Sequence, residues 1–358
     1  MKILALDLGK FKSVACVLDT QTQNESYATI TTRPQSIHDF IVEIEPDRLV
    51  IEVGTPAGWI HDMAQTLELE CQVANPNDER WSWRKVKVKT DRSDALKLAT
   101  LSSIGHLPTV MVPPKADRQL KSLTRYRSKL IHRRTEIQNT IRGLFDGQGI
   151  PIPVGAKAWS VGGREILGSY AQPIAKVQDV DYWQGMLSLE LAAYNAIQEQ
   201  VKQFNKALAT RAEACEKTIR LRTIPGVGQH LAEVLVAVIG DPNRFKSAKH
   251  ISSYVGLVPR VHQSGTMTRN GRISKRGDRG LRSLLVEVAW ISQRYNEVFK
   301  QLFIHLVGGS PTRRKKAVVA LARRILVIAW SMLKHQRDWD PKRVASGLCP
   351  TPAAVVTG

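Results

Sequence analysis

The chain has 358 residues, of which 43% are hydrophobic, and it carries a formal net charge of +20. This length and apolar fraction exclude an intrinsically disordered chain and allow two or three domains with cores of their own. Residues 201–358 hold 28 Lys and Arg against 9 Asp and Glu, a charge concentration that is typical of proteins that bind polyanions.

The residues at the start and near the end of the chain argue against secretion and membrane insertion. The opening MKILALDLGK contains Asp7 and has no small-residue cleavage site, so it reads as a strand rather than a signal peptide. The apolar stretch 317–333 is interrupted by Arg323 and Arg324 and is too short to span a bilayer comfortably. Four widely spaced cysteines without a CxxC pair fit a reducing compartment. We therefore expect a cytoplasmic protein with no membrane segment.

The first part of the chain, residues 1–105, predicts an α/β domain. Two apolar runs on either side of Gly9 indicate a β-hairpin, and SYATITT indicates a third strand. The next segments read alternately as helix and strand: PQSIHDFIVEI, RLVIEVG, GWIHDMAQTLELE, CQVAN and DRSDALKLATLSSI. Strands that alternate with helices in this order predict a mixed sheet.

Residues 113–220 predict a long helical region. Leu123, Leu130, Ile137 and Leu144 recur every seven residues, which is the pattern of a coiled-coil seam. A second long helix follows a stretch rich in Gly and Pro, and the two helices are expected to pair, within one chain or between chains. Pairing between chains would give a homo-oligomer, a dimer or a tetramer.

Residues 221–345 predict a mainly α-helical domain, followed by a tail at 346–358. The segment IPGVGQHLAEVL resembles a helix-hairpin-helix, in which backbone N–H groups at a helix start meet a phosphate. A plain glycine turn between core helices explains this segment equally well. The segment VHQSGTMTRNGRISKRGDRG is expected to be a loop, and a helix is expected from Leu281.

Four acidic residues occupy positions that favour a metal site. Asp7 lies in an apolar strand and Glu52 at the end of another, where an uncompensated carboxylate is costly to bury. Asp91 and Asp94 are three residues apart on a predicted helix, so they share a face. Four converging carboxylates repel one another unless a divalent cation lies among them, and their oxygen atoms favour Mg²⁺ or Mn²⁺. The simpler alternative makes Asp91 an N-cap and Asp94 an exposed first-turn acid.

An acid on strand one, another on a later strand and an acidic pair on a closing helix describe the ribonuclease-H-like nucleotidyl-transfer site. The blocks LALDLGK, VIEVGTP, NPNDERWSWRKVKVKTDRSDA, IPGVG, YVGLVP and QSGTMTRNGRISKRGDRGLR resemble the DEDD transposases of the insertion-sequence one-ten family. The resemblance runs in the same order from the first strand to about Leu333. It implies a RuvC-like domain whose catalytic and metal-binding tetrad is Asp7, Glu52, Asp91 and Asp94.

The resemblance also implies a nucleophilic serine, Ser264, and a structured non-coding guide RNA, the bridge RNA, that pairs with target and donor DNA. A serine hydroxyl is a weak nucleophile that requires a base, a metal or positive charge nearby. Positive charge is abundant around Ser264 in the sequence. From the residues alone, Ser264 and Gly265 are more simply a turn.

Several basic and aromatic residues are candidate nucleic-acid contacts. They are Trp81, Trp83, Arg84, Lys85, Arg260, Arg269, Arg272, Lys275, Arg276, Arg279, Arg313 and Arg314. The two tryptophans either stack on bases or cover the edge of the core. The run RRKK at residues 313–316 either contacts phosphates or is a solvated charge cluster.

The resemblance thus implies an RNA-guided DNA recombinase, which we expect in the cytoplasm at the nucleoid. Two other functions are alternatives to it. One is a metal-dependent RuvC-like nuclease or junction resolvase, which uses the same acids and leaves Ser264 idle. The other is a non-catalytic protein that binds or organises nucleic acid, for which the basic last third suffices. An acid inside the first strand favours the enzymes, because binding alone gives no reason to place it there.

Overall fold

The computed structural model describes residues 1–75, 90–264 and 267–346. The chain divides into two compact units, Met1–Ala116 and Asp117–Gly358. The finer division into domains at 1–105, 113–220, 221–345 and 346–358 stays a prediction.

The first unit is an α/β fold whose elements follow the predicted order. They are β1 (Lys2–Asp7), β2 (Lys12–Asp19), β3 (Glu25–Thr31), α1 (Pro34–Ile44), β4 (Arg48–Glu52), α2 (Ala57–Thr66), β5 (Glu70–Ala74) and α3 (Asp91–Ser103). Helix α2 ends sooner than its sequence segment suggested. Glu68 takes a left-handed conformation with φ of 55°, which turns the chain from the helix into β5.

The five strands form one mixed sheet in the order β3-β2-β1-β4-β5. β1, β2 and β3 pair antiparallel, as the predicted hairpin requires, whereas β1, β4 and β5 pair parallel. Gly9 lies in the β1–β2 turn, where a Cβ atom would collide with the carbonyl oxygen of Lys12. Only glycine fits this tight turn without a backbone shift.

Helices cover both faces of this sheet, which explains why its central strands are apolar throughout. Leu4 and Leu6 point to one face, where they pack with residues of α1 and α2 such as Ile41 and Ile60. Ile3 and its alternate neighbours point to the other face, where α3 packs. Both hydrophobic clusters are therefore built by the two-residue alternation of β1 and β4.

The second unit is largely helical in its described part. Its elements are α4 (Lys115–Gly147), α5 (Val161–Gly168), α6 (Tyr182–Glu213), α7 (Glu216–Arg222), α8 (Gln229–Ile239), α9 (Ala248–Val255), β6 (Pro259–Ser264), β7 (Met267–Ile273), α10 (Arg279–Tyr295), α11 (Glu297–Val307), α12 (Arg314–Lys334) and α13 (Pro341–Ser346). The expectation of a loop at 261–280 is wrong, because β6 and β7 pair as an antiparallel hairpin. The segment is polar and has few β-branched residues, so strand propensity alone did not reveal it.

The two long helices, α4 and α6, pack against each other within one chain. Arg127 Nε donates a hydrogen bond to Asn205 Oδ1 at 2.6 Å, and Arg134 Nη1 donates to Gln198 Oε1 at 3.1 Å. Later positions on α4 thus meet earlier positions on α6, so the pair is antiparallel. A hydrophobic cluster continues the contact with Ile141, Phe145, Leu167, Trp183 and Leu187. A coiled-coil seam, and a helix-hairpin-helix role for α7 and α8, stay predictions.

The core of the second unit gathers around α8 and α12. Helix α8 is buried on all sides, and α12 carries the apolar stretch 317–333 and buries most of its apolar residues. The indole Nε1 of Trp330 donates to the Pro242 carbonyl at 2.9 Å, which satisfies the polar atom of a buried aromatic ring. In the described part of the chain, no helix combines the length and apolarity that crossing a membrane requires.

Candidate functional site

Asp7 and Glu52 end two neighbouring parallel strands of the first unit. The pairing of β1 with β4 runs from Ile3 with Arg48 to Leu6 with Ile51, so Asp7 and Glu52 are the next positions in register. Adjacent strands lie about 4.8 Å apart. The fold therefore sets two carboxylates side by side at the carboxyl edge of the sheet.

Both acids belong to the sheet face that α3 covers. Asp7 alternates with Ala5, which packs in the cluster beneath α3, and it pairs with Val14, which also packs there. Glu52 alternates with Val50 of the same cluster. Because side chains two residues apart share a face of a strand, Asp7 and Glu52 are directed to the α3 side.

Helix α3 runs antiparallel to β4, and its start lies at the edge where the two strand acids are. Near the end of α3, the Ser102 carbonyl accepts a hydrogen bond from Arg48 Nη1 at 3.3 Å, and Arg48 is the first residue of β4. The beginning of α3, at Asp91, is therefore directed toward the carboxyl end of β4. The topology brings Asp91 and Asp94 to the same edge as Glu52.

The local structure of α3 rules out the simpler explanation of its acids. Thr90, not Asp91, is the N-cap: its Oγ1 accepts from the Ser93 N–H at 3.2 Å, and Ser93 Oγ accepts from the Thr90 N–H at 3.0 Å. This reciprocal capping box defines where the helix starts. Asp94 is not an exposed first-turn acid, because its exposure is 7%. Asp91 is exposed.

The four acids do not form a closed metal cage. Among the residues that the structure describes, no three or more His, Cys, Asp or Glu side chains are grouped so as to hold a metal ion. Asp7, Glu52 and Asp94 each interact with another group of the protein. Mg²⁺ is commonly held by one or two carboxylates, waters and substrate phosphates rather than by a full set of protein ligands. The oxygen donors and their shared edge fit such an ion, and the convergence of all four on one cation stays a prediction.

Ser264 lies in the second unit, at the end of β6. It pairs with Met267 of β7, and this is the last pair in the register of the two strands. The orientation of the Ser264 side chain lies outside what the structure describes. Its backbone is thus part of a strand rather than the turn that the residues alone suggested.

The predicted nucleic-acid contacts fall into two groups. Trp81, Trp83, Arg84, Lys85 and the Arg269 side chain lie outside the described residues. The others are exposed to solvent: Arg260, Arg272, Lys275, Arg276, Arg279, Arg313 and Arg314. Their exposure permits contact with a polyanion.

The structure gathers several of the predicted cations in one cleft and adds one that was not predicted, Arg323. Arg272 and Lys275 line a cleft of about 740 Å³, and the opposite side of that cleft belongs to α12. Helix α12 contributes Lys315, Lys316 and Arg323. In the sequence, the RRKK run already marked Lys315 and Lys316 as candidate phosphate contacts. No local signal marked Arg323, since it interrupts the apolar stretch of a core helix.

Other charged groups near the hairpin have a structural task. Arg282 Nη1 donates to the carbonyl oxygens of Val255 at 2.9 Å and Arg276 at 2.8 Å, which braces the connection from β7 to α10. Asp278 caps α10 and forms an ion pair with Arg125 at 2.9 Å. Burial alone would raise the pKa of Asp278, but the hydrogen bond from the Leu281 N–H and the Arg125 guanidinium lower it overall.

Comparison with known proteins decides the family. Residues 4–149 match a DEDD transposase family, and residues 219–303 match the family described as "Transposase IS116/IS110/IS902 family". The transposase for insertion sequence element IS1111A of Coxiella burnetii is 30% identical, over 95% of this chain and 91% of that protein. The chain belongs to the IS110 family of DEDD transposases.

Two further relatives match over most of this chain. The pilin gene-inverting protein of Moraxella lacunata is 26% identical, over 72% of this chain and 70% of that protein. A probable family 20 transposase of Pseudomonas aeruginosa is 26% identical over 85% of this chain and 89% of that protein. The protein is therefore a DNA transposase, an enzyme of the recombinase class. All four acids lie in the segment that matches the DEDD family, and Ser264 lies in the second matched segment.

Proposed function

We propose that this transposase is an RNA-guided DNA recombinase that cuts and rejoins strands through a covalent link to Ser264, with Mg²⁺ bound by Asp7, Glu52, Asp91 and Asp94. The observation that carries the proposal is the common edge of the first unit's sheet. There β1 and β4 end in acids, and the α3 helix that covers them begins with two more.

The strand order of the first unit supports a ribonuclease-H-like, RuvC-like nuclease fold for this domain. Three antiparallel strands are followed by two parallel ones, and the acids stand at the carboxyl ends of the central pair. Ligands of α/β folds bind beyond the carboxyl ends of strands, where loops and helix starts converge. Asp94, buried in the first turn of α3, supplies a further carboxylate at this edge.

The proposed chemistry exchanges one phosphoester bond for another. Ser264 Oγ attacks the phosphorus of a DNA phosphodiester, a new P–Oγ bond forms, and the P–O3′ bond breaks. The serine proton leaves to solvent or a base, and the departing oxygen takes up a proton to become a free 3′-hydroxyl. Attack by the 3′-hydroxyl of another strand on the phosphoserine reverses the step and joins the strands.

The residues of the protein have distinct tasks in this scheme. The four carboxylates hold and orient the cation, which when bound polarises the phosphate and neutralises developing negative charge. The exposed arginines and lysines of the hairpin and α12 bind phosphates on either side of the cut. The name of the Moraxella relative, a gene-inverting protein, supports strand rejoining in addition to cutting.

Covalent capture of DNA tests the serine chemistry. Incubation with cognate DNA and RNA, followed by denaturation, is expected to leave DNA attached to the parent protein and none to Ser264→Ala. Ser253→Ala is the matched control, because Ser253 is exposed on α9 of the same unit. Cleavage that persists in Ser264→Ala without any protein-linked DNA would establish the metal-dependent nuclease instead.

RNA guidance and assembly into a homo-oligomer are part of the same proposal. A non-coding RNA that pairs with target and donor DNA would supply the sequence specificity. The long α4–α6 pair provides a surface from which a dimer or tetramer could be built. Recombination that proceeds equally well without RNA would contradict guidance.

A further inference from the structure

The cleft between β7 and α12, which we call the basic cleft, combines a cationic rim with an apolar floor. Its rim consists of Arg272, Lys275, Lys315, Lys316 and Arg323. Its floor is lined by Leu257, Ile273, Val319 and Ala320. No acidic side chain is among the described residues that line it. Its volume of about 740 Å³ is within the range of about 300–1,000 Å³ of pockets that enclose small ligands.

The charges at the start of α12 oppose helix stability. Arg314, Lys315 and Lys316 occupy the first turn, where no acid is present. The first turn of a helix has a positive dipole end, so cations there are unfavourable and acids are favoured. Since α12 is a long core helix that would be more stable with the opposite charges, this arrangement points to an anion that binds beside it.

Two residues of the rim are anchored, Lys275 through its backbone and Arg323 through its side chain. Lys275 adopts a left-handed conformation with φ of 57°, and its N–H donates to the Gly256 carbonyl at 3.2 Å. Gly256 has φ of +79°, and a Cβ atom there would collide with the Arg276 carbonyl. Arg323 Nε donates to the buried Ser252 Oγ at 3.3 Å. Unusual backbone held by its surroundings is characteristic of binding sites.

We propose that the basic cleft binds an unpaired nucleic-acid strand, with a base on the apolar floor and the adjacent phosphates on the rim. A duplex presents phosphates and groove edges while its bases stay stacked, so it would meet the rim but leave the floor unused. An unpaired strand can turn a base toward an apolar surface. The inference rests on the proposed recombinase function, in which strands separate during exchange and a guide RNA has unpaired segments.

Fluorescence anisotropy on the full chain tests the inference. The probes are labelled oligothymidylate and oligouridylate of about 12 nucleotides, a usual single-strand site size, and a DNA duplex of equal length. Ala320→Trp fills the floor without changing charge. It is expected to weaken single-strand binding about tenfold, the scale of one lost base contact, and to leave duplex binding within about twofold.

A charge variant provides a second test that does not depend on filling the floor. The double variant Lys315→Ala with Lys316→Ala is expected to reduce the salt dependence of single-strand binding. The slope of the logarithm of the binding constant against the logarithm of the salt concentration should become shallower by about 1.4, because each neutralised phosphate contributes about 0.7. The matched control is Lys202→Ala with Lys206→Ala, because both lysines are exposed on α6 of the same unit. The control is expected to keep the parent slope.

Equal losses of single-strand and duplex binding in Ala320→Trp would show that the cleft takes duplex DNA and would overturn the inference. Unchanged binding of every probe in both the Ala320→Trp and the lysine variants would also overturn it. A preference for uridylate or thymidylate identifies RNA or DNA as the natural strand. The probes contain no recombination site and the readout is binding alone, so the result does not depend on strand cutting. Failure of the recombinase proposal is thus distinguishable from failure at this cleft.

Discussion

At the scale of one residue, the burial of Asp94 supports the proposed metal site. It is 7% exposed at the start of α3, on the helix face that packs on β1 and β4. A buried carboxylate is tolerated when a cation or a set of hydrogen bonds balances its charge. A solvated helix-start acid would show neither this burial nor this position.

We expect Asp94→Asn and Asp7→Asn each to lower strand cleavage by roughly 10²–10³-fold. Asparagine preserves the shape but removes the charge that would hold the cation. The measurement is the single-turnover rate of cleavage at saturating Mg²⁺. Asp39→Asn is the control, because Asp39 is an exposed acid on α1. Full activity in both asparagine variants would contradict the assignment of the acids.

His230 on α8 gives a prediction about pH. Burial and the neighbouring Arg127 guanidinium lower the pKa of His230 from 6.5 to about 4. The folded chain then keeps His230 neutral while the unfolded chain takes up a proton. Its contribution to stability is therefore complete above pH 6.5 and is lost as the pH falls toward 4. One turn further on, burial raises the pKa of the Glu233 carboxyl. The contribution of Glu233 to stability is therefore lost as the pH rises above the ordinary pKa of a glutamate.

The free energy of unfolding is expected to fall less between about pH 7 and about pH 4 in His230→Gln than in the parent chain. Urea unfolding at the two pH values measures this difference. The comparison isolates the histidine because both chains retain Glu233 and Arg127. His106→Gln, at an exposed position, is the control substitution. An equal fall in His230→Gln and the parent would show that His230 is not buried in neutral form.

At the scale of elements, the packing of α6 depends on a close approach at Gly185. A Cβ atom at Gly185 would collide with the Ile174 side chain and lie 2.9 Å from its Cα. Gly143, in contrast, is exposed inside α4, and nothing lies within 4 Å of an added Cβ there. The two glycines therefore differ in what surrounds them although both are helical.

Opposite effects on stability are expected from the same substitution at these two positions. Gly185→Ala should destabilise the chain by about 1–3 kcal/mol through overpacking. Gly143→Ala should stabilise it by about 0.5–1 kcal/mol, because alanine restricts the unfolded chain and favours a helix. Chemical denaturation of both variants measures the two signs. Equal stabilisation by both would show that Ile174 does not pack against α6.

At the scale of the whole molecule, the four candidate acids and the excess positive charge lie in different units. The acids lie in Met1–Ala116, whereas most of the excess positive charge lies in Asp117–Gly358. A net charge of +20 resists compaction and favours association with a polyanion. Each unit has its own hydrophobic clusters, so the two can differ in stability.

Calorimetry is expected to show two unfolding transitions, of which Mg²⁺ raises only the one that belongs to the first unit. A ligand stabilises the part of a protein that binds it in the folded state. Asp7→Asn should abolish the shift, and Ser264→Ala should retain it because Ser264 is in the second unit. A shift that persists in Asp7→Asn would place the cation elsewhere.

The sequence by itself determined the order of elements in the first unit. Alternation of apolar residues in β1 and β4, and the Gly9 turn, are local signals that tertiary contacts did not override. The polar hairpin β6–β7 was missed, since its pairing depends on register between two strands more than on the propensity of either. The N-cap at Thr90 also became evident only from its hydrogen bonds with Ser93.

For the candidate site, too, some features follow from the sequence and others only from the tertiary structure. Sequence pattern and family resemblance predicted that Asp7, Glu52, Asp91 and Asp94 act as a set. Only the tertiary structure decided that β1 and β4 are parallel neighbours and that α3 runs back across them, because neither pairing nor packing direction is encoded in a local stretch. The basic cleft likewise joins β7 to α12, more than forty positions apart in the chain. Such a surface exists only once distant elements pack, whereas the charges that line it are present in the sequence from the start.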